Sequence, residues 1–164
     1  MQYAELLARV QKDYAGLKFR AGKRFCFRPP RTVVYEQFCD VGAEAEQKKA
    51  NSLPQAVAEA GGVRPNGAQN EQNLQLLHEV GHALLGHRDF RTDVERVRME
   101  CVAWVKAKEL AEEYQVDYDE EFVEAELDTY RDWLYRRARC RKCGATKYQD
   151  NGGGYHCPMC EAFG

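Results

Sequence analysis

The sequence predicts an α+β fold: a small antiparallel sheet near the N-terminus, packed on helices, with a cysteine-rich module at the C-terminus. Three observations predict it. Residues 17–36 hold short alternating, β-branched and aromatic runs; residues 73–138 place apolar side chains at helical spacing; and four of the seven cysteines fall within the last 25 residues. A length of 164 residues, 44% hydrophobic and 30% charged, suits one domain with a modest core and a small appendage. It excludes a large multidomain machine.

Taken in order, Leu6, Leu7, Val10 and Tyr14 recur at helical spacing and predict a first helix over residues 3–14, ended near Gly16. Phe25 and Phe27 then alternate with Arg24, Cys26 and Arg28, and Ala21-Gly22-Lys23 reads as a hairpin turn. Pro29 and Pro30 stop that strand, and Thr32-Val33-Val34-Tyr35-Glu36 forms the next. Residues 40–72, rich in Ala, Gly, Gln and Asn, read as a long connection of the lid or flap type, with one short helix capped by Ser52. Three helices follow, over about 73–85, closed by Gly86, then 92–114 and 119–138. Leu74, Leu77, Leu84 and Leu85 supply the apolar surface of the first. Phe122, Ala125, Tyr130, Trp133 and Leu134 supply that of the last.

Several classes are excluded. No apolar run is long enough to cross a bilayer, and the N-terminus lacks the basic start, apolar stretch and cleavage site of a secretory signal. An odd cysteine count with two CxxC pairs argues for metal ligation in a reducing compartment over a disulfide framework. Cys26, Cys39 and Cys101 read as small packing residues. The net charge of -2 conceals an asymmetry: residues 112–128 hold nine acids and no Lys or Arg, and 131–147 hold seven basic residues against Asp132.

The chemistry is concentrated in His78-Glu79-Val80-Gly81-His82, an HExxH sequence inside a predicted helix. Residues four apart share one helical face, so both imidazoles can reach one ion, while Glu79 stands beside the first as a base for water. A catalytic zinc site takes three protein ligands and keeps one position open, so a third donor is needed. His87 lies only five residues past His82 and beyond Gly86. Arg88 and Leu85 occupy the positions where an extended HExxHxxGxxH motif has its last histidine and its glycine. Glu100 is the stronger candidate, being the one charge in the stripe Val97, Glu100, Trp104, Ala107 and Ala111, where a carboxylate demands a cation. The competing reading has it reaching the surface or pairing with an arginine.

HEVGHALLGH followed by Glu100-Cys101-Val102-Ala103 resembles the ImmA/IrrE family of gluzincin metallopeptidases, over residues 31–110. The resemblance implies a zincin-type helical core, zinc held by His78, His82 and Glu100, and Glu79 as general base. It also implies a cytoplasmic protein whose substrates are proteins, with DNA-bound transcriptional repressors as the class. The long connection and the C-terminal cysteines depart from the family pattern.

Cys140, Cys143, Cys157 and Cys160 form two CxxC knuckles thirteen residues apart, the pattern of a closed structural zinc site in a ribbon. His156 is the alternative to one of them. The expected division is a zincin-like domain over 1–138 and a zinc ribbon over 139–164, with two zinc ions per chain. The basic 131–147 segment, with Tyr148 and Tyr155, offers a surface for nucleic acid. Two other readings compete with a zinc endopeptidase of this kind. SprT-like proteases also join HExxH to a ribbon but take a downstream histidine as third ligand, and a non-catalytic nucleic-acid-binding adaptor would have no need of Glu79. A peptide substrate is expected to add a strand beside residues 32–36.

Overall fold

Helix α1 (Tyr3–Asp13) turns Leu6 and Val10 into the core, and Asp13 accepts a hydrogen bond from the Tyr114 hydroxyl at 2.8 Å. The computed structural model describes residues 1–36 and 67–161. Most of the 40–72 connection, including the helix expected after Ser52, lies outside the described residues. Residues 67–72 are helical and open the next helix.

Strands β1 (Lys18–Gly22), β2 (Cys26–Arg28) and β3 (Thr32–Glu36) form a sheet of order β1-β3-β2. β3 runs parallel to β1 and antiparallel to β2, so the sheet is mixed and not antiparallel throughout. The tight reversal falls at Pro29–Pro30, joined by a cis peptide, and not at Ala21-Gly22-Lys23. Prolines lack the N–H that would extend the ladder, so the chain turns there and pairs Phe27 with Val33. Val33 and Val34 are buried and make β3 the central strand, as the most apolar strand gains most from neighbours on both sides. Residues 32–34 therefore have no free edge for a peptide. β2 forms one edge of the sheet, and its Phe27 stacks on His82 with ring centroids 6.2 Å apart.

Helix α2 (Gly67–Leu84) is buried on almost every side from Asn73 to Ala83, because α1, the sheet and α3 all pack on it. Leu74, Leu76, Leu77 and Val80 carry the apolar contact. Leu84 and Leu85, expected inside, are exposed, since the helix ends there at Gly86.

Helix α3 (Asp93–Tyr114) starts at Thr92, whose side chain accepts from the Glu95 N–H at 3.2 Å, and ends at Gln115 in the left-handed region. Ala103, Trp104, Ala107, Leu110, Ala111 and Tyr114 face inward. Helix α4 (Glu120–Ala138) starts at Asp119, which accepts from the Phe122 N–H at 3.0 Å. It buries Val123 and Leu127; Ala125, expected on the inner stripe, is exposed because the contact face is rotated toward these two residues.

The chain closes with strands β4 (Tyr148–Gln149) and β5 (Tyr155–His156), an antiparallel pair between the cysteine knuckles. This module is seated on the start of α3. The Asp93 carboxylate accepts from the Tyr155 hydroxyl at 2.8 Å and from Arg137 Nε at 2.5 Å, and the Asp93 N–H donates to Gln149 Oε1 at 2.7 Å. No helix among the described residues is long and apolar enough to cross a membrane.

Candidate metal centres

One turn of α2 separates His78 from His82, and both rings point toward α3. The two helices approach closely because Gly81 has no side chain: a Cβ there would lie 2.9 Å from the Ala103 carbonyl. That approach brings Glu100 Oε2 to 3.2 Å from Nε2 of each histidine, with the two Nε2 atoms 3.1 Å apart. Zinc–nitrogen bonds of about 2.0–2.1 Å at tetrahedral angles separate neighbouring donors by about 3.3 Å. The triangle is close to one face of such a polyhedron. His78, His82 and Glu100 are thus brought together as a group that could hold a metal ion.

The electrostatics favour lone pairs over protons. Burial pushes His78 down to about 4, which leaves its imidazole neutral. Burial alone would raise Glu100, but hydrogen bonds to His78 and His82 hold its carboxyl at about 2. Glu79, 8% exposed, behaves oppositely: burial and the Glu100 charge raise it to about 8, against a hydrogen bond from the Phe27 backbone N–H.

The two histidines are fixed by different means. His78 lies against Trp104, with centroids 4.2 Å apart, and its Nδ1 has no hydrogen-bond partner among the described residues. His82 Nδ1 meets His87 Nδ1 at 2.8 Å. The end of α2 explains this contact. Gly86 takes a φ of +65°, the Gly86 N–H bonds the Ala83 carbonyl at 3.3 Å, and the His87 N–H bonds the His82 carbonyl at 3.1 Å. That Schellman turn folds residue 87 back over residue 82. A His82 that gives Nε2 to a metal carries its proton on Nδ1, and His87 Nδ1 accepts it. Sequence spacing alone set His87 aside as a ligand; the signal for this other role was the Gly-His pair at the helix end.

Tyr130 on α4 also lines this site beside Glu100, and burial together with the Glu100 charge raises its phenol, keeping it protonated. The group opens into a cleft of about 540 Å³, walled by β2, the turn after α2, α3 and α4.

The second centre lies in the tail. Cys140 Sγ is 3.6 Å from Cys160 Sγ, and Cys143 Sγ is 3.5 Å from Cys157 Sγ. Zinc–sulfur bonds of about 2.3 Å imply tetrahedral edges of about 3.8 Å. The four thiols thus form a closed group that could hold a metal ion, compatible with a zinc ribbon. Backbone N–H groups of Cys143 and Lys142 lower the Cys140 thiol to about 6. Those of Met159 and Cys160 lower Cys157 against the effect of burial. His156 faces away from this role: its Nε2 is 2.5 Å from Asp150 Oδ2, whose other oxygen caps the Gly152 and Gly154 N–H groups.

No family model matches the chain, and neither do the curated proteins or the solved structures. The donors themselves are the guide to what the chain does.

Proposed function

We propose that the chain is a zinc-dependent endopeptidase of the gluzincin type, akin to ImmA/IrrE proteins, in which His78, His82 and Glu100 hold the ion and Glu79 is the general base. One observation carries the reading: three donors converge 3.1–3.2 Å apart, two of them, His82 and Glu100, line a cleft, and the buried Glu79 carboxylate stands at its wall. Zinc bound there would supply Lewis acidity toward a carbonyl and would acidify water.

The side chains do the rest. Glu79, anchored by the Phe27 N–H, takes a proton from the attacking water and returns it to the departing amine. The charge of a divalent cation held beside it would lower its raised value toward neutral pH. Tyr130 keeps its proton and donates to the oxygen that gains charge as the carbonyl is attacked. An extended peptide pairs with the outer edge of β2, which lines the cleft, in place of the paired β3.

DNA-bound repressors are the substrate class that the resemblance suggests. The zinc-loaded full chain should hydrolyse an unstructured protein substrate, and Glu79→Gln should keep its zinc and lose about 10²–10⁴-fold in turnover. A Glu79→Gln protein as active as the parent would remove the peptidase reading, and the same variant, used as bait, should retain uncut substrate.

A further inference from the structure

We infer that the cleft selects peptides by their carboxylates, so that its substrates carry Asp or Glu close to the cleaved bond. This rests on the peptidase reading and deepens it. Arg24 precedes β2 and Arg28 ends it, Arg88 lies in the turn after α2, Arg96 stands on the first turns of α3, and all four line the cleft beside the metal-competent group. The acids lining the same cleft are Glu79 and Glu100. Glu100 is already shared between His78 and His82. Among the described residues none of the four guanidiniums has a carboxylate partner, whereas Arg131 and Arg137, outside the cleft, both do.

Arg96 is the most telling of the four. It is half-buried, and its guanidinium lies 4.8 Å from the Trp133 ring centroid, 5.4 Å from that of Phe90 and 5.6 Å from that of Tyr130. Ring contacts hold a guanidinium by its faces and leave the N–H edge free for a planar acceptor. Such a group, partly withdrawn from water without a counter-ion, is stabilised by an incoming carboxylate, which arginine grips through two parallel N–H bonds. Arginines from three separate segments converging on one cleft also differ from an ordinary solvated charge run, which follows a single face. A bound divalent cation makes the cleft more positive still. A cleft of about 540 Å³ admits an extended peptide along β2, a shape that favours an acidic peptide over a nucleic-acid duplex.

The test separates selection from catalysis by measuring binding. Zinc-loaded full-length Glu79→Gln is titrated against fluorescent twelve-residue peptides, acetylated and amidated, that differ only in carrying Glu, Gln or Lys at four central positions. The Glu peptide should bind at least 10-fold more tightly than the Gln peptide, and the Lys peptide more weakly than either. Adding Arg88→Gln and Arg96→Gln to that background should erase the preference, provided the melting temperature shows a folded protein; Arg131→Gln should leave it intact.

Equal affinity for the Glu and Gln peptides overturns the inference. So does an acid preference that survives the double substitution, or one that appears only when the peptide keeps a free C-terminal carboxylate. Single-stranded DNA that displaces the Glu peptide at lower concentration than unlabelled peptide assigns the arginines to nucleic acid and also overturns it. Cleavage of the same peptides by the parent protein is scored separately. Hydrolysis without acid preference keeps the peptidase and rejects the selection. Acid-selective binding without hydrolysis does the reverse.

Discussion

The two metal-competent groups are built in opposite ways. His78, His82 and Glu100 sit on two long helices whose apolar packing fixes them, with Leu74, Leu77, Val80 and Trp104 buried beside them. The four cysteines sit on two turns joined by a pair of two-residue strands, with Tyr155 as the principal apolar side chain buried alongside. In the first case the fold makes the site. In the second a bound ion would have to make the fold, because so short a tail has too little apolar surface to order itself. Three donors beside a cleft would leave one coordination position of an ion open, and four donors closed on one another would leave none.

The largest expected effect exploits that contrast. Changing Cys140 and Cys157 to serine should drop zinc content from two ions per chain to one and free the amides of residues 139–161 to exchange. Structural zinc contributes about 10–16 kcal/mol to modules of this kind. Hydrogen exchange over Asn73 to Ala83 should stay slow. The mirror change, His78→Ala, should remove the other ion while both the helices and the ribbon stay protected. If both substitutions unfolded the same residues, the two groups would depend on one common fold and not on separate ones.

The next effect is confined to the helical site. Glu100→Ala removes one of three donors and should weaken zinc there more than about 100-fold, beyond what loss of an outer contact produces. Glu95→Ala is the control: its carboxylate accepts from the Arg91 N–H at 2.8 Å, away from the donor triangle, and its loss should leave the affinity unchanged. His87→Ala should fall between them, with about a 10–100-fold loss of affinity and an altered spectrum of a cobalt-substituted protein, as His82 loses the contact that sets its tautomer. His87→Gln, which can still accept, should restore part of it. A cobalt spectrum unchanged in His87→Ala would show that packing against Phe27 alone holds the ring.

The two regions also differed in how far the sequence exposed them. The cysteine knuckles and HExxH are local patterns whose spacing already states the geometry, and the sequence alone singled out the members of both donor groups. Glu100 could be picked out because a single charge interrupted an apolar helical stripe. Strand pairing was less accessible: alternation reports which faces a strand has, but not which neighbour it takes, so β3 came out central and parallel to β1. The convergence of four arginines, the close crossing at Gly81 and the return of His87 each depend on chain segments meeting in space. Of these only the last left a trace, in Gly86.

The smallest effect probes the joint where the regions meet. Asp93 begins the helix that bears Glu100, yet its carboxylate is satisfied by Tyr155 of the ribbon and by Arg137 of α4. Burial would raise its pKa, but the hydrogen bonds from Tyr155 and Arg137 outweigh that and hold it below the ordinary value. A carboxyl depressed in the folded state stabilises the protein above its unfolded value of about 3.9, and that contribution disappears as pH falls through the folded value. Asp93→Asn should therefore cost about 1–2 kcal/mol near pH 7, discounted because Arg137 is half exposed, and the gap between parent and variant should narrow as pH falls below the ordinary carboxyl value of about 3.9. The informative measurement is site-resolved. If the ribbon and α3 are coupled through this residue, amides at the start of α3 should exchange faster in Asp93→Asn, and zinc affinity at His78, His82 and Glu100 should fall by a few fold. A variant whose ribbon loosens while the start of α3 and the zinc affinity stay unchanged would show that the ribbon rests on the helix without supporting it.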